Sequence, residues 1–108
     1  MQTNRLLTQE EIETRLADCP GWVYRQEENC LHKVLIFKDF ITAFAVMAQV
    51  AMWAEKLNHH PDWMNVYNRL EIRLNTHDLG GVSFLDFELL ARIEESVAQR
   101  ANLEAWRI

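Results

Sequence analysis

The sequence predicts an α+β two-layer sandwich of order αββαββα, with a four-stranded, largely antiparallel sheet carrying its helices on one face. Three observations point to it. A long segment from Phe40 to about Leu57 has apolar residues every three or four positions. Two pairs of short aromatic and branched runs flank it, each pair divided by turn residues. Stretches with helix-capping signals open and close the chain. Striped helices and half-buried strands pack most economically as one sheet under one layer of helices.

Each element has a local cause. Thr8-Gln9-Glu10-Glu11 has the spacing of a capping box, and Ile12 and Leu16 supply a stripe that stops at Cys19-Pro20-Gly21. Trp22 to Gln26 and Cys30 to Phe37 are strand-like, with Glu27-Glu28-Asn29 as the hairpin loop between them. Asp39 offers an N-cap to the long helix, whose inward stripe is expected to be Phe40, Phe44, Met47, Ala51 and Ala54. Pro61 cannot continue that helix and biases His60 towards extended backbone, so the helix should end near Asn58. Met64 to Tyr67 and Arg69 to Thr76 form the second strand pair. In the latter, Leu70, Ile72 and Leu74 alternate with Arg69, Glu71, Arg73 and Asn75, giving one packed and one polar face. After a loop from Thr76 to Gly81, Ser83 can cap a last helix that turns Phe87, Leu90, Ala91, Val97 and Ala101 inward.

Composition bounds the function. The chain has 108 residues, 49% of them apolar, and three glycines, with no repeat and no Pro/Gly/Ser-rich linker. One domain across residues 1–108 is expected, large enough to build a core without metal or disulfide staples. A net charge of −5 with no run of like charges argues against nucleic acid as a partner. The amino terminus from Met1 to Leu7 has no secretory h-region, and the longest uncharged stretch, Phe40 to Ala54, is too short to span a bilayer. Cys19 and Cys30 form no paired motif and suit a reducing cytoplasm as packing residues.

The histidines carry the chemistry. His32 sits inside a strand and reads as an ordinary packing residue. His59 and His60 stand at the exit of the long helix and His77 at the end of a strand, before a Gly-Gly turn. The plain alternative for all three is that each caps a terminus or bonds the backbone. Imidazole, however, both accepts and donates a proton near neutrality, and two such rings with a third from a neighbouring strand could flank a small heterocycle. Glu55, four residues before His59, can reach the same mouth and orient a ring; otherwise it is a solvated helix-end charge. Asp86 falls in the first turn of the last helix, where a carboxylate is favourable whatever the function. Trp63 and Tyr67 could wall a flat ligand or serve as core. No metal is expected, because the chain lacks a His-Glu-x-x-His pair and cysteine pairs at zinc spacing.

Taken together, Glu55-Lys56-Leu57-Asn58-His59-His60-Pro61-Asp62-Trp63, Asn65-Val66-Tyr67-Asn68, Thr76-His77 and Gly80-Gly81 through Asp86 resemble the pterin-4a-carbinolamine dehydratases. That family's pattern places a charged residue four before His-His-Pro, an aromatic six past the proline, a histidine ten further and an aspartate nine beyond; Glu55, Tyr67, His77 and Asp86 meet each step. Weaker likeness runs through Gly21-Trp22 and Phe37-Lys38-Asp39-Phe40. The resemblance implies dehydration of 4a-hydroxytetrahydropterin to quinonoid dihydropterin, the recycling step after an aromatic amino acid hydroxylase, with no metal or organic cofactor. It casts His59 and His77 as general acids acting on either face of the pterin and His60 as a holding residue that takes part in proton movement. It makes Glu55 and Asp86 supports, and Asn58, Asn75, Thr76 and Asp78 substrate contacts through their backbones. It further implies a homo-dimer or homo-tetramer. Two rivals stand beside it: a non-catalytic interaction module, since the family includes a stabiliser of transcription-factor dimers, and a dehydratase-like protein for a molybdopterin-related pterin.

Overall fold

A computed structural model describes residues 4–105, with side chains through Arg100. The first three residues of the amino terminus and the inward placement expected for Ala101 lie outside what is described. The order is α1 (Gln9–Leu16), β1 (Val23–Arg25), β2 (Cys30–Ile36), α2 (Phe40–Leu57), β3 (Asp62–Val66), β4 (Arg69–Leu74) and α3 (Phe84–Ala105), as the αββαββα reading requires. The sheet is antiparallel throughout, in the order β1-β2-β4-β3. A short 3₁₀ turn, His77–Leu79, lies where an irregular loop was expected.

Local chemistry explains the boundaries. Thr8 and Glu11 form the reciprocal capping box that starts α1. Asp39 accepts from the Thr42 N–H at 2.8 Å and the Thr42 hydroxyl at 2.7 Å, starting α2. β3 begins two residues earlier than the sequence suggested, at Asp62, and stops before Tyr67, which turns the β3–β4 hairpin with a left-handed φ of 50°. Trp22 and Gln26 fall outside β1, and Asn75 and Thr76 outside β4, because cross-strand pairing ends with Val23–Arg25 and Leu74.

The core lies between one sheet face and the helices. Register pairs Leu31 with Leu74 and Leu35 with Leu70, so these residues share a face with Ile72. They pack with Ile12 of α1, Val46, Val50 and Ala54 of α2, and Phe87, Leu89, Leu90 and Ile93 of α3. Burying each such side chain stabilises by about 1.5–3 kcal/mol before entropy is counted. The inward stripe expected for α2 is corrected: Thr42, Ala43, Val46, Val50 and Ala54 are buried, while Phe40, Phe44 and Ala51 are exposed. The helix is apolar on more than one side, so periodicity alone fits either stripe. In α3, Ala91 also faces outward, whereas Phe87 and Leu90 are buried and Val97 partly so.

By length and composition α2, with 18 residues and mean hydropathy 1.3, could cross a membrane, which corrects the expectation of a segment too short to do so. That expectation counted only the uncharged run and stopped before Glu55. Here the helix places its Val46, Val50 and Ala54 side chains in the core instead.

Candidate active site

The site is built at the exit of α2. Asn58 adopts a left-handed conformation at φ 52°, and its N–H bonds back to the carbonyl of Glu55 while the N–H of His59 bonds to that of Ala54. These two bonds form a Schellman motif, which reverses the chain and lets Pro61 follow directly. His59 and His60 are thus held on a rigid corner. The end of β4 supplies the opposite wall. Thr76 pairs with Gly81 as an isolated bridge, and Gly80, at φ 72°, closes the 3₁₀ turn that carries His77 and Asp78. A left-handed residue there favours glycine, which needs no Cβ accommodation.

Between these walls lies an open cleft of about 970 Å³. His59, His60 and His77 all line it, together with Asn58, Asn75, Thr76 and Asp78. Four of the sequence-selected residues, Glu55, Asp86, Trp63 and Tyr67, do not line it. Glu55 and Asp86 stand behind the histidines, each holding one imidazole by its Nε2. Tyr67, in the β3–β4 turn, is exposed away from the cleft, and Trp63 packs against the core. Asn4, Leu57, Pro61, Asp62, Leu79 and Leu85 complete the lining; Leu57, Pro61 and Asp62 fall within the His-His motif quoted from the sequence, and none of the six is singled out there as a site residue. Leu57, Pro61 and Asp62 adjoin the His-His corner and were findable there. Asn4 arrives because Leu7 donates to the Val82 carbonyl, a long-range pairing with no local signature.

The three imidazoles have different settings. His59 is buried, and its Nε2 lies 2.6 Å from Oδ1 of Asp86, which is fully buried. Oδ2 of Asp86 accepts from the Ser83 N–H and from the Thr76 hydroxyl, both at 2.9 Å. With Asp86 as a carboxylate, which only accepts, His59 donates from Nε2, and Nδ1 is the ring's remaining nitrogen. His60 is exposed, with Nε2 2.7 Å from Oε1 of Glu55. His77 is exposed on the 3₁₀ turn, and its ring has no hydrogen-bond partner among the described residues. The arrangement therefore presents one locked, one tethered and one free imidazole to a single cleft. Among the described residues, no three His, Cys, Asp or Glu side chains cluster as a metal-ion site.

A sheet-and-helix scaffold that presents three imidazoles to an open cleft is equipped for proton transfer on a small flat molecule. Comparison with known proteins makes the class specific. The family model described as pterin 4 alpha carbinolamine dehydratase matches residues 5–96. A relative from Rhizobium etli, named for pterin-4-alpha-carbinolamine dehydratase, is 45% identical over 89 residues, covering 82% of this chain and 88% of its own. One of the same name from Burkholderia orbicola is 45% identical over 92 residues, covering 85% and 90%. A crystal structure from Brucella melitensis, described as a transcriptional coactivator/pterin dehydratase, superposes with a TM-score of 0.84 at 39% identity, covering 86% of this chain and 99% of that one. The chain belongs to the pterin-4a-carbinolamine dehydratase family, an enzyme family of the hydro-lyase class.

Proposed function

We propose that the cleft dehydrates 4a-hydroxytetrahydropterin to quinonoid dihydropterin, recycling the pterin released by an aromatic amino acid hydroxylase. The observation that carries this reading is the presence of His59, His60 and His77, from two separate stretches, in the lining of one cleft. In the reaction the 4a-hydroxyl takes a proton and the C4a–O bond breaks, releasing water. The N5 lone pair closes the N5=C4a bond, and the N5 proton passes to a base. No electron leaves the system, and the ring's own nitrogen supplies the push, so the step calls for no metal or organic cofactor.

His59 and His77 are the general acids, one for each face of the pterin. Held at Nε2 by Asp86, His59 works through Nδ1, which delivers a proton to the 4a-hydroxyl when the ring carries a hydrogen on both nitrogens; the unpartnered ring of His77 is free to turn towards its target. His60, tethered by Glu55, holds the pterin and takes part in proton movement. Backbone groups of Asn58, Asn75, Thr76 and Asp78 edge the cleft and suit the polar rim of the ring system. Positioned proton transfer contributes typically about 10²–10⁴-fold, sufficient for a carbinolamine that already dehydrates unaided.

The same reading includes one domain over residues 1–108, a cytoplasmic setting and self-association as a dimer or tetramer. Cys19 and Cys30 are unpaired thiols, and burial pushes both above the ordinary thiol value, in keeping with packing roles in a reducing compartment. Phe40, Ile41, Phe44 and Met52 leave the outer side of α2 apolar and exposed, and β3 is an edge strand, both features that a second copy would cover.

A second reading, an interaction module, is favoured by the description of the Brucella melitensis protein as a coactivator. The deciding experiment generates 4a-hydroxytetrahydropterin in situ and follows its ultraviolet signal with and without the protein. Acceleration proportional to protein concentration supports the dehydratase. A folded protein that leaves the decay unchanged supports the module instead.

A further inference from the structure

Behind His59 runs a buried chain of hydroxyl groups that the assignment of roles above leaves unused. Thr76 Oγ1 donates its one hydrogen to Asp86 Oδ2 at 2.9 Å. The hydrogen bond between Thr76 Oγ1 and Ser83 Oγ must then be donated by Ser83. Ser83 Oγ in turn accepts from the Leu85 N–H at 3.3 Å, within the first turn of α3. The donors thus run one way, from Leu85 N–H through Ser83 and Thr76 to Asp86, which faces the Nε2–H of His59. Ser83 and Asp86 are both fully buried and Thr76 nearly so, leaving little opportunity for water to replace a missing donor.

We propose that the Thr76 and Ser83 hydroxyls are positioning residues for His59, acting through Asp86. They fix the carboxylate so that Oδ1 points at His59 Nε2 and Nδ1 stays directed to the guest. Helix capping alone does not require this arrangement. The Ser83 hydroxyl and the Asp86 carboxylate would cap α3 by their own backbone contacts, whereas Thr76, seven residues before Ser83 at the end of β4, adds nothing to that cap. It does join the strand end bearing His77 to the carboxylate bearing His59. Any catalytic effect rests on the dehydratase reading; the lock on the ring does not.

The test uses the full chain with Thr76→Val, which keeps shape and backbone but loses the hydroxyl, Thr76→Ser, which restores it, and Ser83→Ala. The first readout needs no substrate: hydrogen exchange of the His59 Nε2–H, followed by NMR. The second is kcat and KM for the dehydration. Thr76→Val should speed exchange and lower kcat roughly 10-fold, with KM changed less than about 3-fold, while Thr76→Ser should return both to within about 3-fold of wild type. Ser83→Ala, one bond further out, should fall between the two. The inference is overturned if Thr76→Val matches wild type in exchange, or if Thr76→Ser shares its losses in full. Protection in wild type that is lost in Thr76→Val and restored in Thr76→Ser, in a protein with no dehydratase activity, upholds the lock and sinks the dehydratase reading alone.

Discussion

His59 and His60 are neighbours in sequence, and each brings Nε2 to a carboxylate at nearly the same distance, 2.6 and 2.7 Å. Their surroundings differ sharply. The side chains of the first pair are 9% and 0% exposed, those of the second 56% and 80%. In the interior, two ionisable groups hold each other in place at low dielectric, and removing one strands its partner. At the surface, water does most of the same work. Identical contacts therefore define a rigid imidazole on one side of the cleft and an adjustable one beside it. A third pair, His32 with Glu71 at 2.8 Å, shows that burial alone does not make a site, since it lies in the strands and lines no part of the cleft.

The comparison is broken most directly by deleting the buried carboxylate. Asp86→Ala leaves His59, Thr76 and the Ser83 N–H without their acceptor and should cost about 3–5 kcal/mol of stability by denaturant titration; a cost like that of an exposed pair would mean that water enters freely. On activity, His59→Ala or His77→Ala should lower turnover roughly 10-fold or more with the fold retained by circular dichroism. Unchanged rates in both would remove them from the acid role.

Acid sharpens the comparison at intermediate scale. Hydrogen bonds from the Thr42 hydroxyl and N–H hold Asp39 below its ordinary carboxylate value, and a hydrogen bond to His32 does the same for Glu71 against the opposing effect of burial. Because the folded state binds these protons less readily, their stabilisation is fully present above the unfolded value near about 4 and is lost as pH falls through the lower folded values. The melting temperature should thus decline below about pH 4, and Asp39→Asn should flatten that decline. The smallest effect belongs to Glu55→Gln, expected to change stability by less than about 1 kcal/mol, as calorimetry would show.

Much of this was legible because it is local. The Thr8–Glu11 box, the Asp39 cap, the halt before Pro61 and the alternation of Leu70, Ile72 and Leu74 each follow from residues a few positions apart. The His-His corner was legible for the same reason. The buried chain behind it was not, because Asp86 meets His59 across 27 residues and Thr76 across ten. From its position in the first turn of the last helix, Asp86 reads as a helix-start carboxylate; the family pattern marked it as a support without showing which ring it holds. The α2 stripe failed for another reason: Phe40 and Phe44 are as periodic as Val46 and Val50, and only the sheet decides which side is covered.

The central claim is that three imidazoles serve one guest, and His32 provides an internal control for it. In an NMR titration with a dihydropterin, the ring signals of His59, His60 and His77 should move together along one binding curve while His32 stays still. Separate curves for the three, or no movement in any of them, would contradict the account.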